Sequence, residues 1–203
     1  MDKTKIITQT KHAFDFMQKL YLEVSYLIKE VEGLLGEEEE RFIIGRPSGY
    51  QANMRTSAGL EPNQVHMWLP RNMAVFFVPE QTTQSSRGMT FTDLSPATKV
   101  IYLRVILDSK EKAEPVLHAG ILYGFEKQKA GGKFVKFEQV LTHIEYRDNQ
   151  VFQNIGSLEY SDSYIHFRGN LFEVPLYDLH TSQDVMDKVV KRSLVLFREA
   201  NSK

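Results

Sequence analysis

The sequence IITQTKHAFDFMQKLYLEVSYLIKEVEGLL, residues 6–35, carries the longest regular pattern in the chain. Apolar residues recur at alternating steps of three and four, interrupted by Thr10, at Ile6, Ala13, Met17, Leu20, Val24, Leu27, Val31 and Leu34. A second row has a spacing of seven: Ile7, Phe14, Tyr21, Ile28 and Leu35. The repeat predicts one continuous amphipathic helix that ends at Gly36, with an apolar stripe wider than a two-stranded coiled coil requires.

The length of this predicted helix bears on its role. About 30 residues at a rise of 1.5 Å extend roughly 45 Å. A compact domain of 203 residues is about 43 Å across. The helix therefore lies across one face of a sheet, or it presents part of its stripe to a second subunit, and both can hold. We expect a homo-oligomer, and a different protein partner is the other possibility.

Strand-forming runs come after the helix. The run 73–78 is apolar at every position, which predicts a central strand covered on both faces. The runs 99–107 and 116–125 are rich in β-branched and aromatic residues. Two shorter strands flank Arg46-Pro47-Ser48-Gly49, whose proline and glycine suit a turn. These runs predict a largely antiparallel sheet built from hairpins.

The chain ends in a second predicted helix, over residues 182–200. Thr181 and Asp184 have the spacing of a capping box at its start. We therefore predict a single α+β domain over residues 1–203, in which both helices pack on the sheet. Its β region spans 41–175 with about eight strands and includes one short helix near 137–146.

Gly169-Asn170 indicates a two-residue turn that joins two segments, in each of which apolar and polar residues alternate. Such a turn sets His166 opposite Glu173 on one face of a hairpin. A carboxylate across from an imidazole can raise the pKa of the histidine and orient its ring, which begins a general acid–base pair. An exposed structural pair worth about 0.2–1 kcal/mol is the simpler interpretation.

Composition excludes several kinds of chemistry. The chain has no cysteine, which rules out disulfides, thiolate nucleophiles and sulfur-ligated zinc. Its six histidines never lie within five positions of one another, and no phosphate-binding loop or dinucleotide fingerprint occurs. We therefore expect no metal and no cofactor. The net charge of −1 gives no overall attraction to nucleic acid or anionic lipid. No signal peptide or membrane-spanning run is evident, so we expect a cytoplasmic protein without membrane contact.

A basic and aromatic region is the main candidate for ligand binding. Arginines for phosphate and aromatic rings for base stacking are combined on single-stranded nucleic acids. The candidate residues are Arg41, Arg46, Arg55, Trp68 and Arg71. Arg87 lies in the polar segment Ser85-Ser86-Arg87-Gly88, which could bind an anion through backbone amides and its guanidinium. Solvated turns and a flexible loop account for the same residues without function.

His118 is a further candidate, because Gly120 and Gly124 share its strand face and could leave a hollow beside it. Our leading hypothesis is nevertheless a non-enzymatic interaction protein that self-associates through its N-terminal helix. The alternative is an enzyme or binding protein for a phosphate-bearing substrate such as nucleic acid. It would use the Arg41–Arg71 region, with His118 or His166 as catalytic groups.

Overall fold

The computed structural model confirms the predicted α+β class, with a long N-terminal helix, an antiparallel sheet and a C-terminal helix. It describes residues 2–44, 50–52, 72–82, 93–94, 96–108, 112–127, 135–136, 155–163 and 165–200. The short helix predicted near 137–146 lies outside these residues.

The N-terminal helix, α1, is one uninterrupted helix from Lys3 to Gly36, as its heptad pattern predicts. Asp2 begins it as the N-cap, where the side-chain oxygen accepts the backbone N–H of Thr4 at 3.0 Å. At the other end the backbone N–H of Glu37 donates to the Gly33 carbonyl at 3.2 Å. The buried residues of α1 all lie in its C-terminal part: Val24, Ile28, Val31 and Leu35.

Nine strands are described: β1 (Phe42–Ile44), β2 (Tyr50–Ala52), β3 (Asn72–Pro79), β4 (Asp93–Leu94), β5 (Lys99–Ile106), β6 (Val116–Lys127), β7 (Val135–Lys136), β8 (Gly156–Ser161) and β9 (Ile165–Pro175). The main sheet runs in the order β1-β3-β5-β6-β9-β8, and β2 also pairs with β3. Every neighbouring pair is antiparallel. The strands β4 and β7 form a separate two-stranded sheet.

The first two strands correct the predicted hairpin about residues 46–49. Ile44 pairs with Phe77 and Tyr50 pairs with Val75, so β1 and β2 lie end to end along the same edge of β3 rather than beside each other. Counted this way, the main sheet is six strands wide instead of the predicted eight. A turn that reverses the chain and a break that lets it continue along a neighbour contain similar residues, which explains the error.

The Gly169-Asn170 turn was also predicted wrongly. Strand β9 continues straight through both residues, with Gly169 paired to Leu122 of β6 and to Leu158 of β8. A Cβ at Gly169 would come within 2.7 Å of a Leu122 methyl carbon and 2.8 Å of the Ile121 carbonyl oxygen. The glycine therefore lets the strands approach closely within a sheet, and it does not reverse the chain.

Both faces of the main sheet are buried. On the helix face, strand residues pack against α1 and the C-terminal helix and include Val75, Phe77, Ile101, Leu103, Leu117, Ala119, Phe172 and Val174. The opposite side, here called the far face, holds a second apolar cluster that includes Phe76, Val100, Tyr102, Leu122, Phe167 and Leu171. Burying one large apolar side chain contributes about 1.5–3 kcal/mol, so both clusters contribute strongly to folding.

The C-terminal helix consists of three consecutive pieces: α-helical Ser182–Val185, π-helical Met186–Val190 and α-helical Lys191–Glu199. The predicted capping box is present, since the Thr181 hydroxyl accepts the Asp184 N–H and the Asp184 carboxylate accepts the Thr181 N–H, both at 3.1 Å. Lys99 of β5 donates to the Phe197 carbonyl at 2.8 Å and so fixes the last turn on the sheet.

Candidate functional site

A row of ionisable residues crosses the far face of the sheet. The strand register places Arg104 of β5 directly opposite His118 of β6, and His118 directly opposite Glu173 of β9. Three neighbouring strands thus contribute one ionisable side chain each at the same level. The surrounding far-face positions are apolar, which makes this row the main polar feature of that part of the core.

Glu173 makes the direct contacts of the row. His118 Nε2 lies 2.9 Å from Glu173 Oε2, and Lys112 Nζ forms an ion pair with the same carboxylate oxygen. His118 and Arg104 are 1% and 3% exposed, whereas the side chains of Glu173 and Lys112 retain 23% and 22% exposure. The row therefore runs from the buried sheet interior to a partly accessible end at Glu173 and Lys112.

Burial sets the protonation of the histidine. Desolvation is the largest cause that lowers the pKa of His118, and the positive charges of Arg104 and Lys112 lower it further. Together they outweigh the hydrogen bond and the attraction of the Glu173 carboxylate, which raise it. Partial desolvation alone would raise the pKa of Glu173, but hydrogen bonds from Lys112 and His118 reverse that effect and lower it. At neutral pH the pair is consequently a neutral imidazole and an ionised carboxylate. Because the carboxylate can only accept, Nε2 of His118 carries the proton and donates it.

This arrangement leaves Nδ1 of His118 as the basic nitrogen of the ring, which is the state that a general base requires. The ring is nevertheless almost fully enclosed at 1% exposure, so solvent-borne reactants do not contact it in this conformation. The row can stabilise the sheet and resist protonation. In this geometry it is a buried polar network rather than an open catalytic centre.

The predicted hollow beside His118 is not present at Gly120. A Cβ at this glycine would lie 2.1 Å from the Asn170 carbonyl oxygen, because β9 approaches β6 closely there. Gly124 has a φ of +66° at the irregularity in the β6–β9 register, and a Cβ there would be in van der Waals contact with the Arg168 guanidinium, with Nε at 3.5 Å. The two glycines accommodate neighbouring groups of the protein: the Asn170 carbonyl at Gly120 and the Arg168 side chain at Gly124.

His166 and Glu173 do not form the predicted pair. Seven positions separate them on one straight strand, about 23 Å at 3.3 Å per residue, and odd spacing places them on opposite faces. His166 Nε2 instead lies 2.9 Å from Glu159 Oε1 of β8, and its Nδ1 lies 3.9 Å from Glu126 Oε2 of β6. The structure therefore joins Glu173 to His118 and leaves His166 in a separate cluster.

Of the arginines and aromatic residues proposed for anion or nucleic-acid binding, the structure describes Arg41. Its Nη1 lies 3.6 Å from a Glu80 carboxylate oxygen, and its Nε donates to the Gly36 carbonyl at 3.3 Å. Arg41 thus ties the end of α1 to the segment after β3. The other candidates lie outside the described residues: Arg46, Arg55, Trp68, Arg71 and Arg87.

Sequence reasoning missed Arg104 and Lys112 as members of the row. Arg104 had a detectable signal, because it is the one charged residue inside the apolar run from Val100 to Ile106. A charge in such a run is expected to have a buried partner on a neighbouring strand. Lys112 gave no comparable signal, since it lies in a polar connection between β5 and β6.

The second candidate site is the first half of α1. We call residues 3–19 the outer half and residues 20–36 the inner half. Every residue of the outer half is exposed except Met17, which is partly buried. Two of its stripe residues, Ile7 and Phe14, are 47% and 67% exposed. The apolar stripe that the domain covers in the inner half thus continues uncovered onto the outer half.

Comparison with known proteins gives no functional assignment: no family model, curated protein or solved structure matches this chain. Within the described ranges, no three histidine or acidic side chains are grouped so as to hold a metal ion. In the same part of the chain, no helix combines the length and the apolar character that crossing a membrane requires.

Proposed function

We propose that this chain is a non-enzymatic interaction protein that self-associates through the outer half of α1. The observation that carries the proposal is the continuity of the stripe. In the inner half Val24, Val31 and Leu35 are at most 2% exposed, whereas Ile6 and Phe14 continue the same two rows in solvent. The outer half has the residues of a packed helix, but it stays exposed, and no element that the structure describes covers its stripe.

Energetics favour a partner for this segment. In proteins, most of the stability of a helix comes from packing of its apolar face rather than from helix propensity. Large apolar side chains gain about 1.5–3 kcal/mol each when fully buried, and the outer half presents Ile6, Ile7 and Phe14 together. Exposed apolar surface of this kind marks interaction sites in folded proteins.

A second copy of this chain is the partner that we propose, because each copy carries the same uncovered apolar stripe on its outer half. Two outer halves that pack stripe against stripe bury Ile6, Ile7 and Phe14 of both copies. The resulting contact is two-fold symmetric and self-complementary, as homodimer contacts are.

Light scattering on the full chain tests the proposal with two matched variants. Ile6 and Leu22 are isomeric residues with similar exposure, 41% and 48%, but Ile6 lies on the stripe and Leu22 on the opposite side of the helix. We expect the wild type to have a mass above the chain mass of 23.5 kDa. Ile6→Asp should return it to the monomer mass, and Leu22→Asp should not.

Two results would contradict this function. The first is a wild-type monomer across the accessible concentration range. The second is equal loss of mass in both variants, because that would indicate general solubility effects rather than contact through the stripe. The alternative of a phosphate-bearing substrate stays a prediction, and Arg41 gives it no support because its guanidinium pairs with Glu80.

A further inference from the structure

A groove on the helix face separates β9 from the C-terminal helix. Its volume is about 380 Å³, within the range typical of small-molecule sites. Strand β9 contributes Asn170 and Phe172, and the helix contributes Lys191, Arg192, Val195 and Leu196. The lining thus combines three apolar side chains with two cations and one amide, and none of the six residues is acidic.

Arg192 gives the groove an available positive charge. Its guanidinium lies 3.9 Å from the centre of the Phe172 ring, which holds the side chain over the groove floor. Lys191 is engaged by Asp187, whose carboxylate accepts from it at 2.6 Å. By contrast, no carboxylate in the described part of the chain forms an ion pair with Arg192. A planar guanidinium in this state is suited to bind an oxyanion through two parallel hydrogen bonds.

A second arginine adds to this charge. Arg168 lies on the same face of β9 as Asn170 and two residues before it, about 7 Å along the strand. Its guanidinium carbon is 5.7 Å from the centre of the Tyr123 ring, and its buried Nε donates to no acceptor within the described ranges. The positive potential of the groove therefore extends along β9.

The π-helical turn explains why Arg192 reaches the groove. Val185 and Val189 are buried, and an uninterrupted α-helix would continue that buried row at 192 and 196. The extra residue in the π turn at Met186–Val190 rotates the rest of the helix by about 100°, so Ser193 and Phe197 are buried instead. Arg192 and Leu196 are thereby placed along β9. Such π turns occur frequently at functional sites.

We propose that this groove binds a small amphipathic carboxylate. The Arg192 guanidinium holds the carboxylate, and Phe172, Val195 and Leu196 cover its apolar tail. The Asn170 amide supplies a further hydrogen-bond donor at the strand side. This site is independent of the outer half of α1, because none of its residues belongs to that helix.

Titration of the full-length protein with octanoate, monitored by amide chemical shifts, tests the site. We expect saturable shifts at Asn170, Phe172 and Val195. Acetate carries the carboxylate without the long tail, and 1-octanol carries the tail without the carboxylate. Both should bind far more weakly than octanoate. Arg192→Gln should weaken octanoate binding about tenfold or more, because a hydrogen-bonded charge pair is lost.

Arg198→Gln is the matched control, since it removes an exposed arginine of the same helix that lies 3.6 Å from Glu38 and away from the groove. It should keep the wild-type affinity. Val195→Glu, at a position that is 47% exposed, should abolish binding without disturbing the core. Four results would overturn the proposal. Octanoate at millimolar concentration could cause no saturable shift, or it could bind Arg192→Gln as tightly as the wild type. 1-Octanol could bind as well as octanoate, or the protein could bind anionic vesicles and no free carboxylate.

Discussion

In the inner half of α1, Val24, Val31 and Leu35 are enclosed by the sheet and the C-terminal helix, whereas in the outer half Ile6 and Phe14 lie in solvent on the same two rows. The same heptad repeat runs through both halves. They differ in the structure that covers them. An amphipathic pattern therefore determines which residues favour burial, and the length of the domain determines how many of them the chain can bury by itself.

The largest expected effect belongs to the inner half. Leu35 is 0% exposed, and Leu35→Ala should lower the free energy of unfolding by about 2–5 kcal/mol, since it removes buried methyl groups and leaves a cavity. Urea unfolding of the variant and the wild type measures the difference. A loss below about 0.5 kcal/mol, which is usual for exposed positions, would show that the two halves are not distinct environments.

The row of Arg104, His118 and Glu173 on the far face provides a third environment, which is largely enclosed like the inner half but is polar. Glu173→Gln removes the charge that both His118 and Lys112 contact, and we expect a loss of about 1–3 kcal/mol in unfolding experiments at neutral pH. Glu159→Gln is the matched control, because Glu159 makes the same 2.9 Å contact to His166 with a side chain that is 69% exposed. It should change stability by less than about 1 kcal/mol.

The same row predicts a pH dependence of stability. The pKa of His118 is lower in the folded than in the unfolded protein, so the unfolded chain binds more protons in acid. The stability that the lowered pKa of His118 contributes is fully present above the ordinary pKa of 6.5 and is lost as the pH falls below that value. The lowered pKa of Glu173 adds a further loss below its ordinary value of 4.5. In His118→Gln the first decline should be absent from urea titrations, and an unchanged decline would contradict this assignment.

A smaller effect tests the solvent-exposed contact between the inner half of α1 and the C-terminal helix. The Ser182 hydroxyl donates to the Glu30 carboxylate, which joins α1 to the first turn of the C-terminal helix on the surface. Ser182→Ala should cost about 0.5–1 kcal/mol, because a single exposed hydrogen bond is lost. A loss as large as that of Leu35→Ala would mean that this surface contact, rather than the buried stripe, fixes the inner half.

The smallest effect is expected in the outer half. At a concentration where the protein is monomeric, Ile6→Ala should change the free energy of unfolding by no more than about 0.5 kcal/mol, because Ile6 is exposed and belongs to neither apolar cluster of the domain. Urea unfolding at low protein concentration measures this value. A cost similar to that of Leu35→Ala would place the outer half inside the cooperative domain.

Local patterns were sufficient for much of the fold. The continuity of α1 and its end at Gly36, the strands β3, β5 and β6, and the capping box at Thr181 and Asp184 follow from periodicity, propensity and turn chemistry within short segments. The start of α1 was predicted at Ile6, three residues after its first residue, Lys3. In each case the apolar rows of one segment indicate directly how it packs. The self-association that α1 suggests stays a prediction.

The course of β9 could not be obtained in the same way. Its apolar residues change from odd positions, Ile165 and Phe167, to even positions, Phe172 and Val174. A two-residue turn accounts for such a change if one face of the sheet is solvated. Here both faces are buried, so a straight strand satisfies the same sequence. The contact of His118 with Glu173, 55 residues apart, depends on that register and was therefore missed.

Amide hydrogen exchange in the outer half, at two protein concentrations, tests self-association most directly. If a second copy covers the stripe, protection of the amides from Ile7 to Met17 should rise with concentration, while the inner half stays equally protected at both. Exchange of the outer half that is fast and independent of concentration would contradict self-association through α1.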